Sequence, residues 1–397
     1  MKLRYRFRFY PTDEQAHELA CVFGSVRYVY NWGLRLRSDA YREGKKIGYH
    51  ESSAALTELK QREDHAWLNE VSSVPLQQSL RHLQTAFGNF FDKRAKYPKF
   101  KKKYGDQAAD YASTAFKWDA GNRNLTLAKV GRLDVHWSRR VVSEPTTVTV
   151  TKDRAGRYYV TLVLDETVKP LPKTGAAVGV DLGINRLATL STGERIANPR
   201  HTNKYARKLA RAQRCLARKQ KGSARREAAR LRVAKIQAKI GDTRLDYVHK
   251  TTTGLVRRFD VVCIEDLNVR GMVKNHSLAK AISDVSFGAL AQQLEYKCDW
   301  YGKTLVRVDR WFPSSKVCSA CGHICESMRL EVRDWTCPEC GTHHDRDENA
   351  AKNLLAVGQT ETAKAVNAQG GLRKTRVPSG DKGSARRVAN RSNEHRA

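Results

Sequence analysis

The stretch from Cys318 to Asn353 reads CSACGHICESMRLEVRDWTCPECGTHHDRDENAAKN, and it constrains the fold more than any other part of the chain. Two Cys-x-x-Cys knuckles, Cys318/Cys321 and Cys337/Cys340, stand fifteen residues apart, within the spacing at which two pairs close on one zinc ion across a short hairpin. Four thiolates so spaced complete a tetrahedron and leave no position open to water, so the ion would be structural. Gly322 and Gly341, one after each pair, permit the tight turns this requires. Two disulfides or four ordinary buried cysteines are the competing readings. Cys325, His323, His343 and His344 are close enough in sequence to be rival ligands and rank below the four. A few residues later an acidic run opens a helix, so a metal knuckle is joined directly to a candidate catalytic carboxylate.

The charge balance names the kind of partner. Across 397 residues the formal net charge is +32, far beyond what solubility needs, and a polyanion is the expected counterpart. The length allows two or three domains with their own cores. No run of eighteen apolar residues is present, and the start MKLRYRFRFYP alternates charge with aromatics where a signal peptide needs an unbroken apolar core. The expected location is therefore cytoplasmic, in contact with the nucleoid, with no membrane and no small-molecule substrate. Of nine cysteines, those outside the knuckles are scattered at Cys21, Cys215, Cys263, Cys298 and Cys325, which suits a reducing compartment.

The chain reads as a multidomain α/β protein. Leu3, Tyr5, Phe7 and Phe9 alternate with Lys2, Arg4, Arg6 and Arg8, a strand with one apolar and one cationic face. Thr12 and Gln15 are placed as a capping box, followed by Leu19, Val22, Phe23, Val26 and Tyr30 at helical spacing. Pro75 suits the first turn of a second helix that leads toward the basic stretch containing Lys101 and Lys102. From about Tyr111 the pattern turns to strands, including TTVTVTKDR and RYYVTLVLD hinged at Ala155-Gly156. KPLPKTGA, residues 169–176, reads as a linker.

Beyond the linker, two near-continuous apolar runs each end on an acid: AVGVD at Asp181 and FDVVCIE at Glu265. Between them, Arg200 to Ile240 holds fifteen Lys or Arg and one acidic residue, with a break at Lys221-Gly222-Ser223 that predicts a helical hairpin. A solvated coiled-coil face would mix both signs, so Arg207, Lys208, Arg211, Arg214 and Arg218, together with Lys101 and Lys102, are candidate contacts to a nucleic-acid backbone. Hydrolysis of a phosphodiester needs an activated water and neutralised charge on attacking and leaving oxygens, which two Mg²⁺ ions about 4 Å apart supply through hard oxygen ligands. Asp181, Glu265 and Asp347 are the candidate ligands. Asp347 is preferred to Asp345 because it shares a helix face with Ala351 and Leu354, which leaves Asp345 to a cap or loop. Singly each acid has a plainer role: a turn residue before glycine, a helix cap, a helix-start residue favoured by the dipole.

In order and spacing, VGVDLGINRLATLS, VCIEDLNVRGM, FPSSKVCSACG and DRDENAAKNLL resemble the signature blocks of the TnpB (OrfB) proteins of insertion sequences, relatives of type V CRISPR effector nucleases. YRFRFYPT, GSVRYVYNWGLRLR and KYPKFKKK are similar to the same family, and the likeness spans nearly the whole chain up to about Gly358. The resemblance implies a RuvC-like nuclease domain of ribonuclease H fold over residues 171–312 and 342–358, with its acids at Asp181, Glu265 and Asp347. It further implies a zinc ribbon over 313–341, a wedge-like β-barrel over 1–10 and 118–170, and a helical recognition lobe over 11–117. Residues 359–397 are left as a basic tail, expected to be disordered. The implied activity is RNA-guided cutting of double-stranded DNA beside a short transposon-associated motif. Its implied cofactors are structural Zn and catalytic Mg, and its guide is an RNA derived from the transposon end. The alternatives are a non-cleaving DNA- or RNA-binding regulator, or an accessory factor of transposition.

Overall fold

The computed structural model describes residues 1–326, 328–329 and 331–367, and these divide into two compact units, one over residues 1–167 and one over the described residues of 168–367. The expected tail falls partly outside the described residues; its first part, 359–367, continues the last helix.

In the first unit β1 (Lys2–Phe9) buries Leu3, Phe7 and Phe9, as its alternation requires. Three helices follow: α1 (Asp13–Arg42), α2 (Tyr49–Gln61) and α3 (Ser73–Phe91). The capping box opens α1, with the Gln15 N–H donating to Thr12 Oγ1 at 3.2 Å and the Thr12 N–H returning a bond to Gln15 Oε1 at 3.2 Å. Seven strands come next: β2 (Gln107–Ala112), β3 (Phe116–Asp119), β4 (Asn124–Leu127), β5 (Gly131–Leu133), β6 (Val135–His136), β7 (Pro145–Lys152) and β8 (Tyr158–Asp165). Their main sheet runs β2-β7-β8-β1-β6, so the N-terminal strand does join the later strands, with the helices inserted between. Strand β2 falls within 11–117, the stretch expected to be helical. Its Ala109 and Tyr111 are buried and alternate with less buried neighbours, a period-two pattern masked by the small residues QAA.

The second unit is built on a five-stranded sheet of order β11-β10-β9-β12-β13, from β9 (Ala177–Leu182), β10 (Arg186–Leu190), β11 (Arg195–Ala197), β12 (Val261–Glu265) and β13 (Thr304–Val308). β9, β12 and β13 are parallel; β10 pairs antiparallel with β9 and β11 antiparallel with β10, so β10 alone runs against the other four. The crossover from β9 to β12 carries α4 (His201–Ala217) and α5 (Ala224–Arg258), a helical hairpin that turns at Gly222, where φ is +85°. The next crossover carries α6 (Val269–Met272), α7 (His276–Val285) and α8 (Phe287–Tyr301). A two-stranded hairpin, β14 (Asp334–Thr336) with β15 (His343–Asp345), then leads directly into α9 (Arg346–Asn367).

Alternation assigns the two faces of this sheet. Val178, Val180, Val262 and Ile264 share a core with Val248 and Leu255 of α5 and Leu290 and Leu294 of α8. Gly179 and Cys263, paired across β9 and β12, face the other way, toward α9. A Cβ at Gly179 would stand 1.9 Å from the Ala351 carbonyl oxygen, and one at Gly358 would stand 2.2 Å from Cys263 Sγ. Both contacts exist only because a side chain is missing.

Either Gly179→Ala or Gly358→Ala must push α9 off the sheet, at a cost of about 1–3 kcal/mol. Denaturant unfolding should show this as a lowered midpoint, and an unchanged midpoint in both variants would contradict the packing.

Candidate functional site

Period two along β9 and β12 sends residues 179, 181, 263 and 265 to the same face of the sheet. Asp181 therefore follows Gly179 onto the α9 side and Glu265 follows Cys263, one step past the paired Val180 and Ile264. Asp347 occupies the first turn of α9, four residues ahead of Ala351, whose carbonyl rests on Gly179. All three predicted acids are thus delivered to one end of one sheet face. Asp345 has a different task. Its Oδ1 accepts the Glu348 N–H at 3.0 Å, which caps α9, and its Oδ2 pairs with Arg195 at 2.7 Å and Arg186 at 3.6 Å.

The electrostatics bind the acids into one cluster. Burial, and then the negative charges of Asp347 and Glu265, push the Asp181 carboxyl up to about 7 against the pull of Arg346 and Arg333. Burial and the neighbouring Asp266 also raise Glu265. Asp266 itself is paired with Arg310 and Arg307. Burial opposes charge on Asp345, yet the Glu348 N–H, Arg195 and Arg186 hold its carboxyl below the ordinary range. Asp347 meets Arg333 at 3.3 Å and Arg186 at 4.0 Å. These arginines were not anticipated from sequence, because their partners lie 14 and about 160 residues away.

Among the described residues, the four cysteines form the one group of three or more potential ligands whose atoms all fall within 4.8 Å of one another. Cys318 Sγ lies 3.6 Å from Cys340 Sγ, and Cys321 Sγ lies 3.7 Å from Cys337 Sγ. A tetrahedron with Zn–S spokes of about 2.3 Å has edges of about 3.8 Å, so the four sulfurs fit that ion. Gly322 and Gly341 turn with φ of +81° and +70°, as the knuckles require. Of the rival ligands, His344 is buried with Nε2 3.0 Å from Cys318 Sγ, a place from which its N–H would donate to the thiolate. His343 meets Thr336 Oγ1 through Nδ1, and Cys325 packs beside Trp335 in the small ribbon core. Strand β15 extends the ribbon past residue 341, to Asp345.

The hairpin of α4 and α5 closes over Ala212, Val233, Ile236 and Ile240, which leaves Arg207, Lys208, Arg211, Arg214 and Arg218 exposed. Lys102 is exposed as well, whereas Lys101 lies over the Tyr30 ring at 4.2 Å and its N–H donates to Asn31 Oδ1. Buried Asp284 accepts from Thr202 and pairs with Arg244 at 3.0 Å, which ties the start of α4 to α5 and α7.

Family profiles match three stretches: "Probable transposase" over residues 148–276, "Cas12f1-like, TNB domain" over 287–354, and "Helix-turn-helix domain" over 1–46. A Streptomyces pristinaespiralis protein, named among RNA-guided DNA endonucleases, is 54% identical over 91% of this chain and 91% of its own length. This chain belongs to the TnpB (OrfB) family. InsQ of Escherichia coli K12, another family member with an RNA-guided DNA endonuclease name, is 32% identical over 92% of this chain and 95% of its own. The solved Cas12f1–sgRNA–target DNA complex is similar in fold, with a TM-score of 0.55 at 11% identity over 89% of this chain and 98% of that one. In the segment matched to the helix-turn-helix profile, the structure has β1 and one continuous 30-residue helix.

A carboxyl titrating near 7 when folded, against about 3.9 when unfolded, keeps a proton that the unfolded chain has lost. Its contribution is fully present below the unfolded value and fades as pH rises through about 7. In magnesium-free buffer the parent should therefore lose stability relative to Asp181→Asn between about pH 4 and about pH 7. Parallel pH profiles from denaturant titration would refute the coupling of the acids.

Proposed function

We propose that this chain is a transposon-encoded, RNA-guided DNA endonuclease that hydrolyses phosphodiesters at Asp181, Glu265 and Asp347. The observation that carries the reading is the shared sheet face. Two adjacent parallel strands end on acids in register, and a helix start brings a third acid whose charge Asp181 feels. The strand order, with β10 alone running against the other four strands, suits a RuvC-like domain of ribonuclease H fold.

The three carboxylates suit Mg²⁺ as hard oxygen donors, and the raised protonation of Asp181 and Glu265 is what a cation would relieve. Bound there, Mg²⁺ would activate water and neutralise phosphate charge. This chain's own part is to supply ligands from rigid elements and to compensate charge nearby. Arg333 and Arg186 keep Asp347 paired, and both stand where a substrate phosphate could draw them away. The four cysteines would hold zinc as scaffold.

The exposed cations of α4 and Lys102 would follow the nucleic-acid backbone. With sequence reading delegated to base pairing, a broad cationic surface serves better than a recognition helix. The guide would be an RNA from the transposon end, the target double-stranded DNA beside a short motif, and the setting a bacterial or archaeal cytoplasm at the nucleoid. In this scheme the first unit supplies the wedge-like barrel and the helical recognition lobe.

Purified protein with its co-expressed RNA and Mg²⁺ should cut a plasmid carrying the matching target with no transposase present. Asp181→Ala and Glu265→Ala should each lower cutting by at least about 10²-fold while RNA binding is kept. Variants that cut like the parent would remove these acids from the mechanism, and a parent that binds the target without cutting would favour the regulator.

A further inference from the structure

The helix that bears Asp347 grips the chain on its far side through a second set of its own side chains. Asn349 is 1% exposed and Asn353 is 5% exposed, and both turn toward the segment that leads into the ribbon. The Asn349 amide accepts the Ser319 N–H at 2.9 Å and donates to the Val317 carbonyl at 2.7 Å. The Asn353 amide donates to the carbonyls of Ser314 at 2.8 Å and Val317 at 2.7 Å. Ser319 lies between the first two cysteines of the ribbon, so a side chain two residues beyond Asp347 reaches into the knuckle itself.

At spacing i, i+4 the two asparagines occupy one stripe of the helix. Asp347 and Ala351, also four residues apart, occupy another, which meets β9. We infer that Asn349 and Asn353 are positioning residues for the nuclease site, which hold the first turns of α9 in the one rotation and height that aims Asp347 at Asp181 and Glu265.

Three observations carry this. First, neither asparagine is at the surface, and a buried amide is costly unless its partners are fixed, so the backbone of 314–319 and the helix must hold one geometry together. Second, every partner is a main-chain group, which a change of rotamer cannot follow; sliding or rotating α9 breaks all four bonds at once. Third, a further tie to the ribbon is made by the residue just before Asp347. The Arg346 N–H donates to the Arg333 carbonyl at 2.7 Å, and its guanidinium donates to the carbonyl of Arg329 at 3.1 Å. Asp347 is thereby bracketed by ribbon contacts at positions 346 and 349.

The backbone contact at Gly179 and the pairs with Arg333 and Arg186 share in fixing Asp347, and a displacement of about 1 Å can cost about 10²-fold in a metal-dependent step. The asparagines touch neither substrate nor the reacting atoms in this scheme; they act through Asp347.

The inference rests on the nuclease reading above, and its test is arranged so that the two fail differently. Full-length Asn349→Ala and Asn353→Ala, each with the guide RNA, are compared with the parent in four measurements. These are zinc content, affinity for target DNA, the Mg²⁺ concentration for half-maximal cutting, and the rise in melting temperature on adding Mg²⁺. The expected result is unchanged zinc and DNA affinity, a requirement for Mg²⁺ raised about tenfold or more, a smaller Mg²⁺-induced rise in melting temperature, and cutting partly restored at high Mg²⁺. A parent that shows no cutting or Mg²⁺ response would sink the nuclease reading itself. With an active parent, two outcomes overturn the inference: both variants keep the parent's Mg²⁺ requirement and melting response, or they lose zinc and Mg²⁺ response together, which would make the asparagines supports of the ribbon alone. Should Asn349→Ala fail to fold, Asn353→Ala, which deletes two donor bonds and no acceptor, decides.

Discussion

Helix α9 lies against the sheet by backbone contact, and that contact is possible because residues 179 and 358 have no side chain. Most helix–sheet pairs are held apart by a layer of side chains. Here the Ala351 carbonyl sits on the β9 backbone, and Cys263 of β12 fills the hollow left at Gly358. The consequence is metric. From Ala351 back to Asp347 is about 6 Å of helix rise, and from Gly179 on to Asp181 is about 6.6 Å of strand. Two short rigid spans from one fixed point bring both acids to the same neighbourhood. A thicker interface would keep the same residues in the same order and hold the carboxylates further apart.

Bringing acids together has a cost that the surroundings only partly offset. Asp181 is deprived of water and faces two like charges, and its raised carboxyl records that penalty. The offset is uneven: Asp347 has Arg333 and Arg186, Asp345 has Arg195 and Arg186, and Asp266 has Arg307 and Arg310. Cations ring the outer acids, and Asp181 feels only the more distant charges of Arg346 and Arg333. An unrelieved negative centre within a positive rim is what a divalent ion followed by a phosphodiester would need, since the ion neutralises the centre and the rim receives the phosphate.

Much of this was legible because it depends on local periodicity. A strand period of two fixes that Asp181 follows Gly179, and a helix period of 3.6 separates Asp347 from Asp345, which the structure uses as a cap. The partners Arg186, Arg195 and Arg333 were not legible, since a long-range ion pair leaves no trace in spacing. Gly358 marks the end of the family likeness, and a disordered tail is expected beyond it. In the structure Gly358 admits Cys263, and α9 continues to Asn367. The stretch 169–176 also reads as a loose linker from its prolines, yet the N–H groups of Thr174 and Gly175 donate to Asp260, which pairs with the buried Lys303. A tether made through backbone amides has no sequence signature on the tethered side.

The cysteine ribbon is the plainest feature of the sequence, and its four thiolates would complete a zinc ion's coordination without water or substrate, so its influence on the neighbouring acids would be mechanical. The route for that influence is short. His344 touches Cys318 Sγ, the next residue caps α9, and the residue two further on is Asp347. A helix start is ordinarily the frayed end of its element, with four N–H groups unpaired and few restraints. Here it is continuous with a strand of a closed metal hairpin, so the least ordered part of a helix becomes one of its best determined. That is how a first-turn acid such as Asp347 is held where its own helix alone would not hold it.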